Sequence, residues 1–450
     1  TASEDLGEGR PREKYQSNAK AIRLLKELET ENRNARPEEQ AILSKYVGWG
    51  GLADVFDEKK TEWNAEYQEL KALLSKDEYE AARASTLNAH YTSPTIIKGI
   101  YNALEKIGFK KGSILEPALG VGNFFGMLPD SMKESRLYGV ELDSISGRIA
   151  QKLYPIAQIT VAGFETTDRR DFYDVAIGNV PFGNYRVNDR AYNRLNFSIH
   201  NYFFAKSLDQ VRPGGIVAFI TSHYTMDAKN SSARRYIAQR AELLGAIRLP
   251  NDAFLANAGV EVVSDIIFLQ KRDHIMDIDA DWVHLGMTND GYAINNYFVA
   301  HPEMVLGIEG EQSSRFGMEY TVQPDQENTL SELLSEAIKR IQGTYHPAME
   351  VNEQKQLVED VIPADPDVRN YTYTLVNGEV YYRENSIMRR AESSQSAKER
   401  IKGLLLVRSE LNDLIQLQMD DASDEEIHKA QSRLEQAYDC LLYTSDAADD

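Results

Sequence analysis

Ser113-Ile114-Leu115-Glu116-Pro117-Ala118-Leu119-Gly120-Val121-Gly122-Asn123-Phe124 decides the fold class. A short apolar run ends at an acid, and a loop with two glycines leads into a predicted helix. Gly120 and Gly122 permit a tight turn and close backbone approach. The loop is not a dinucleotide fingerprint. The third glycine of G-x-G-x-x-G falls on Phe125, too large for tight helix–strand packing, and no P-loop lysine follows. Outward from this loop, Leu137-Tyr138-Gly139-Val140 reads as a second strand ending at Glu141, where open α/β sheets hold a ribose diol. Ile159-Thr160-Val161 is a third strand with the tip Gly163-Phe164-Glu165. Tyr173, Val175 and Ile177 mark a fourth, ending at Asn179. A helix from about Asn201 to Gln210, the turn Arg212-Pro213-Gly214-Gly215 and the run Ile216–Ile220 continue the alternation. The pattern predicts an α/β fold with a doubly wound, mostly parallel sheet. The candidate site residues fall at the C-terminal ends of its strands.

The fourth strand runs into Ala176-Ile177-Gly178-Asn179-Val180-Pro181-Phe182-Gly183. The Asn179 amide oxygen and the Val180 carbonyl can each accept one hydrogen bond from a planar –NH2 group. Val180 precedes a proline, which confines its backbone to the extended region and largely fixes its carbonyl. Phe182 offers a flat face for a base. Together they would leave the amine lone pair aimed at a methyl donor. The alternative is an Asn-Pro turn that merely closes a strand.

With these residues in view, the chain resembles S-adenosylmethionine-dependent methyltransferases that modify adenine N6 in DNA. Glu116-x-x-x-Gly120-x-Gly122, Glu141 and Asn179-x-Pro181-Phe182 stand in that family's motif order. His90-Tyr91-Thr92-Ser93-Pro94 resembles the segment that packs on the methionine end of the cofactor, and in the gamma subclass that segment precedes the glycine loop, as here. The resemblance implies a Rossmann-like, seven-stranded-type sheet and S-adenosyl-L-methionine as cofactor. It implies that Tyr91, Thr92, Glu116, Ala118, Gly120 and Gly122 line the methionine and ribose region, and that Glu141 holds the ribose hydroxyls with Leu142 beside it. Phe164 or Glu165 would border the cofactor adenine. Asn179, Val180, Pro181 and Phe182 would receive a flipped adenine. Two positions depart from the pattern: Val180 replaces the first of two prolines, and Phe164 stands where the third motif usually carries Asp.

Further segments resemble the very large methylase–helicase proteins of conjugative elements and phages. They are Tyr46-Val47-Gly48-Trp49-Gly50-Gly51-Leu52, Phe254 to Arg272, Asn296-Tyr297-Phe298-Val299 and His301-Pro302-Glu303-Met304. This likeness runs from about Tyr15 to Asp439. It implies an element-borne enzyme acting on DNA beside a helicase region of the same natural polypeptide.

Composition fits an intracellular, cytoplasmic globular protein. The 450 residues are 42% hydrophobic, room for a full α/β domain with smaller modules. No secretory leader or membrane span is read. The single cysteine, Cys440, excludes an internal disulfide framework and a Cys-based zinc cluster. His90, His200, His223 and His284 are not spaced as a metal site, and none is expected. A net charge of −20 is awkward for a DNA partner. Cations nevertheless cluster after the motif strands. Tyr185, Arg186, Arg190 and Arg194 follow Asn179, and Lys229, Arg234, Arg235, Arg240 and Arg248 come later. These read either as phosphate contacts around an extruded base or as solvated surface charge.

The organisation expected is a disordered start (1–14), an N-terminal helical module (15–85), a catalytic domain (86–275) and an accessory region that could recognise the target (276–346). A linker (347–369) leads to a β-hairpin and helical hairpin (370–440), then a tail (441–450) resembling translated adapter sequence. Ser17 or Asn18 is expected to cap the first helix. Trp49 reads as wedged between helices or as a partner contact. Asn377-Gly378 between alternating runs marks the hairpin turn. Three functions follow: a DNA adenine N6-methyltransferase, a methyltransferase acting on RNA or a protein glutamine, or a weakly active or inactive DNA-binding, anti-restriction module. The recognition sequence and oligomeric state are not legible.

Overall fold

Strand order in the central sheet follows from the connections. In the computed structural model, β1 (Ser113–Glu116) is followed by β2 (Arg136–Glu141), β3 (Gln158–Val161), β4 (Tyr173–Asn179), β5 (Val211–Ser222), β6 (Ala241–Leu249) and β7 (Ser264–Lys271). They assemble as β3-β2-β1-β4-β5-β7-β6. All pairings are parallel except those of β7, which is antiparallel to both neighbours. This is the Rossmann-like, mostly parallel sheet expected. The structure describes residues 9–86, 92–255, 261–314, 317–347, 361–365, 367–384, 387–391, 393–420 and 422–446. None of the helices described is long and apolar enough to cross a membrane.

β1 is buried at every position and β4 at all but Asn179. Strands covered by helices on both faces lose the in–out alternation of a half-buried strand. The chain winds one way from β1 to β2 and β3, and the other way through β4 and β5. The ends of β1 and β4 therefore flank the switch point, the crevice where such sheets take ligands. Glu116 and Asn179 are the last residues of these two strands.

The N-terminal module comprises α1 (Pro11–Thr30), α2 (Pro37–Leu43), α3 (Asn64–Leu73) and α4 (Lys76–Ser85). The first helix starts at Pro11, inside the stretch expected to be disordered. Pro11 sits in its first turn, and the Arg10 N–H donates to Glu13 Oε2 at 2.8 Å. Asn18 is not a cap. It is fully buried within α1, donating to the Gly48 carbonyl and accepting from the Val47 N–H. Trp49 is 1% exposed among the rings of Tyr15, Tyr46 and Phe56, the wedged arrangement. The module's core continues into Val121, Ile145, Ile149 and Leu153 of the sheet domain.

α5 (Pro94–Lys106) precedes β1. The helix expected after the glycine loop is a single turn, α6 (Asn123–Gly126). α7 (Ser144–Leu153) follows β2, α8 (Ile199–Gln210) precedes β5, and α9 (Tyr224–Asp227) and α10 (Ser232–Arg240) precede β6. The stretch 276–347 belongs to the same compact unit as the sheet. It holds two small hairpins and a helix (Leu330–Ile338) whose Leu334 and Ile338 sit against Gly99 of α5.

The second unit contains Arg169–Phe172 and residues from Ala348 onward. The expected hairpin is part of a four-stranded sheet: Val361–Pro363, inside the expected linker, pairs with Ile387–Arg390. Helices Gln395–Met419 and Asp424–Asp446 follow, the latter running into the expected tail.

Candidate active site

A cavity of about 750 Å³ opens at the switch point. Of the residues expected to hold the cofactor, Thr92, Glu116, Ala118, Gly120, Glu141, Leu142, Phe164, Glu165 and Asn179 line it. Val180, Pro181 and Tyr185 line it too. Gly122 and Phe182 are not on its wall, and His90 and Tyr91 lie outside the described residues.

The glycine loop shapes the floor. Gly120 and Gly122 adopt φ +57° and +84°, the left-handed region that glycine enters without steric cost. A Cβ on Gly122 would stand 2.6 Å from the Tyr154 ring, so the loop's path also requires the missing side chain.

Two carboxyl groups stand on neighbouring strands. Glu141 Oε2 accepts from the Gly120 N–H at 2.6 Å, and Oε1 from the Asp143 N–H at 2.7 Å. Burial against the cavity wall outweighs these donors and pushes its carboxyl up to about 7. Glu116 is 2% exposed, and its Oε2 has no hydrogen-bond partner among the described residues. Burial, then the charge of Glu141, raises Glu116 well above the ordinary carboxylate range. A buried, unpartnered carboxyl oxygen beside a cavity is a site that a ligand's hydroxyl or cationic donor would satisfy. Leu142 is 76% exposed and offers an apolar surface at the rim.

On the other side, Asn179 Nδ2 donates to Thr92 Oγ1 at 3.1 Å. That bond sets the amide with its nitrogen toward Thr92 and its oxygen turned away. The Val180 N–H donates to the Ile220 carbonyl at 3.1 Å, tying the motif to β5. Tyr185 is the aromatic of the motif loop on the cavity wall, its ring folded over Gly183. Phe164 is buried, with its ring stacked on Phe203 at 5.0 Å.

The basic residues separate sharply. Arg186, Arg190 and Arg194 are exposed on the loop after Asn179. Arg186 lines a hollow of about 330 Å³ that shares Val187 and Asn188 with the main cavity. Arg234 cannot be a DNA contact: it is 1% exposed, and its Nε donates to the Val283 carbonyl at 2.8 Å. Arg235 is exposed but paired with Asp279 at 3.0 Å. Arg248 is fully buried between Asp265 and Asp227, both at 2.8 Å.

Sequence reading missed several wall residues. Asp143 and Ser146 belong to the N-terminal turn of α7, where Asp143 Oδ2 accepts from the Ser146 N–H at 2.8 Å. The D-x-x-S spacing after Glu141 was the available signal. Tyr46, Gly48, Ala81, Ala84 and Ser85 come from the N-terminal module, and nothing in their spacing relates them to the strand-end motifs.

Residues 154–254 match the family model described as Eco57I restriction-modification methylase, a stretch containing Asn179 and β4 to β6. The chain is 28% identical over 285 residues to "Defense against restriction protein B" of Escherichia phage P1, covering 62% of this chain and 11% of that protein. It is 34% identical over 93 residues to the type II methyltransferase M.CvrRI of Paramecium bursaria Chlorella virus XZ-6E, covering 20% and 24%. The chain thus spans a small fraction of the curated relatives it matches. Among solved structures, the M protein of the type I restriction enzyme EcoKI aligns with 17% identity and a TM-score of 0.33, covering 56% of this chain and 60% of that one. Residues 154–254 are thus similar to a restriction-modification methylase, and they lie within the Rossmann-like sheet.

Proposed function

We propose that this chain is a DNA adenine N6-methyltransferase that uses S-adenosyl-L-methionine. The observation that carries the reading is one cavity holding both the Glu116–Glu141 pair and Asn179-Val180-Pro181 at adjoining strand ends. S-adenosylmethionine supplies an electrophilic methyl group. Glu141 accepts from its ribose hydroxyls, and Glu116 takes a donor on the oxygen that the fold leaves unpartnered. Asn179 Oδ1 and the Val180 carbonyl accept the two protons of the adenine amine, holding its lone pair in line with the methyl group. Placement supplies most of the catalysis. The same two acceptors would guide the proton that methylation displaces from the amine on its way to solvent. Extruding the base costs a few kcal/mol, and Arg186, Arg190 and Arg194 face the flanking phosphates. We assign the helicase region implied by the resemblance as a partner in the natural protein.

The test is transfer of labelled methyl from S-adenosylmethionine to unmethylated duplex DNA, with Asn179→Ala beside the wild type. Label in adenine from the wild type only, with S-adenosylhomocysteine affinity of the variant within about threefold of it, supports the assignment. Equal labelling by Asn179→Ala refutes it.

The similarity to a phage protein named for defence against restriction favours a second reading, in which the domain binds DNA and shields it without turnover. DNA binding and cofactor binding without label on any DNA would select that reading.

A further inference from the structure

We propose that α4 and the Tyr46–Gly48 loop form one wall of the cofactor site, so that the methyl donor is held between the N-terminal module and the sheet. This inference rests on the reading of the cavity as the S-adenosylmethionine site.

Ala81, Ala84 and Ser85 line the cavity. Their i, i+3, i+4 spacing puts them on one face of α4. The buried residues of the helix face elsewhere: Tyr79 and Ala82 are in the module core, and Glu78 is bonded by Lys26 at 2.8 Å and Arg148 at 2.5 Å. Ala81 and Ala84 are exposed, so among the described residues nothing packs over these two side chains. The second element is equally fixed. Gly48 adopts φ +65°. The buried Asn18 holds both the Val47 N–H and the Gly48 carbonyl, and Trp49 is locked among three rings. The segment resembling methylase–helicase proteins is therefore an anchored loop presenting Tyr46 and Gly48 to the cavity.

An independent observation in the same cavity points to a ligand: the Oε2 of the buried Glu116, without a hydrogen-bond partner among the described residues. The module is also tied to the strand tip that carries Glu141. Arg148 of α7, the helix that begins just beyond Glu141, pairs with Glu29 of α1 at 3.3 Å and with Glu78 of α4. A nucleoside held by Glu141 would be covered by α4 in this arrangement.

The experiment is isothermal titration of S-adenosylhomocysteine into the whole chain and into Ala81→Phe, Ala84→Phe and Ala65→Phe, the last on an exposed position of α3. Phenylalanine at 81 or 84 occupies ligand volume without entering the module core. Affinity is expected to fall by about tenfold or more in both, with the melting temperature near that of the wild type and Ala65→Phe unchanged. Hydrogen exchange of the wild type supplies the arm that needs no variant: the ligand should slow exchange over α4 and over residues 46–48. Wild-type affinity in both cavity variants, or protection confined to the strand tips, overturns the inference and leaves the cavity assignment standing. Absence of binding by the wild type overturns the cavity assignment, and this inference with it.

Discussion

At the residue scale, Glu116 and Glu141 couple the site to stability. Both carboxyls are raised in the folded state, Glu141 to about 7. The unfolded chain releases these protons near the ordinary value of 4.5, while the folded chain retains them. Their contribution to stability is therefore present below pH 4.5 and is lost as pH rises through the folded values. Glu116→Gln mimics the protonated form. In ligand-free protein its melting temperature should equal the wild type's near pH 4 and exceed it increasingly up to pH 8. A difference that stays flat with pH would show that Glu116 ionises normally. The arginines divide in the same physical terms. Arg234→Ala leaves a cavity and strips the Val283 carbonyl of its donor, at an expected cost of about 3 kcal/mol. Arg190→Ala touches only solvent-exposed charge. It should leave thermal unfolding unchanged while weakening DNA binding in an anisotropy titration. The reverse pattern would undo the division between structural and DNA-facing arginines.

At the element scale, the loop after the Asn179 motif is pinned by one buried ammonium. Lys206 of α8 donates to Asp189 Oδ2 at 2.7 Å and to the Glu165 carbonyl at 3.1 Å, while the Tyr202 hydroxyl donates to the same Asp189 oxygen at 2.8 Å. A single side chain thus ties the loop bearing Tyr185 and Arg186 to the third-strand tip at the cavity. Lys206→Met strands a buried carboxylate, for which about 3–5 kcal/mol is the expected loss. Lys206→Met with Asp189→Leu should recover most of the stability, since replacing both partners with apolar groups is often neutral. Denaturant titration of the three proteins checks this. A double variant as unstable as Lys206→Met would mean that loop geometry rather than stranded charge sets the cost. Glu116, Glu141 and Asn179 could be located because each ends a strand, and strand ends follow from local hydrophobic runs and turns. Arg234, Arg248 and Lys206 look like any surface cation in sequence. Their burial depends on Val283, Asp265 and Asp189, partners brought near only by the sheet order. The start of α1 was hidden for a different reason. Pro11 to Lys14 is wholly polar, and its helicity comes from a proline in the first turn and the Glu13 cap rather than an apolar stripe.

At the scale of the whole molecule, a net charge of −20 confines how this chain can hold DNA. Of the seven arginines read from the sequence as possible phosphate contacts, Arg234 and Arg248 are buried, Arg235 is paired with Asp279 and Arg240 lies over the Tyr236 ring, which leaves Arg186, Arg190 and Arg194 exposed on the loop after Asn179. Each phosphate neutralised contributes a slope of about −0.9 in log affinity against log salt. Three contacts therefore predict a total slope near −3 and a loss of roughly 40-fold between 50 and 200 mM salt. A broad basic face making twice as many contacts would lose on the order of a thousandfold. Anisotropy of a labelled duplex across that range distinguishes the two. A slope near −3 that falls by about one in Arg190→Ala would fix the footprint on this loop. A slope of −6 or steeper would require cations elsewhere on the chain and would remove the loop from its central place in DNA binding. The low slope also has a functional consequence. With few phosphate contacts, the proposed function requires affinity from an extruded base, so substitutions at Asn179 and Tyr185 should weaken binding of a duplex carrying a mismatched, easily flipped adenine more than binding of a fully paired one.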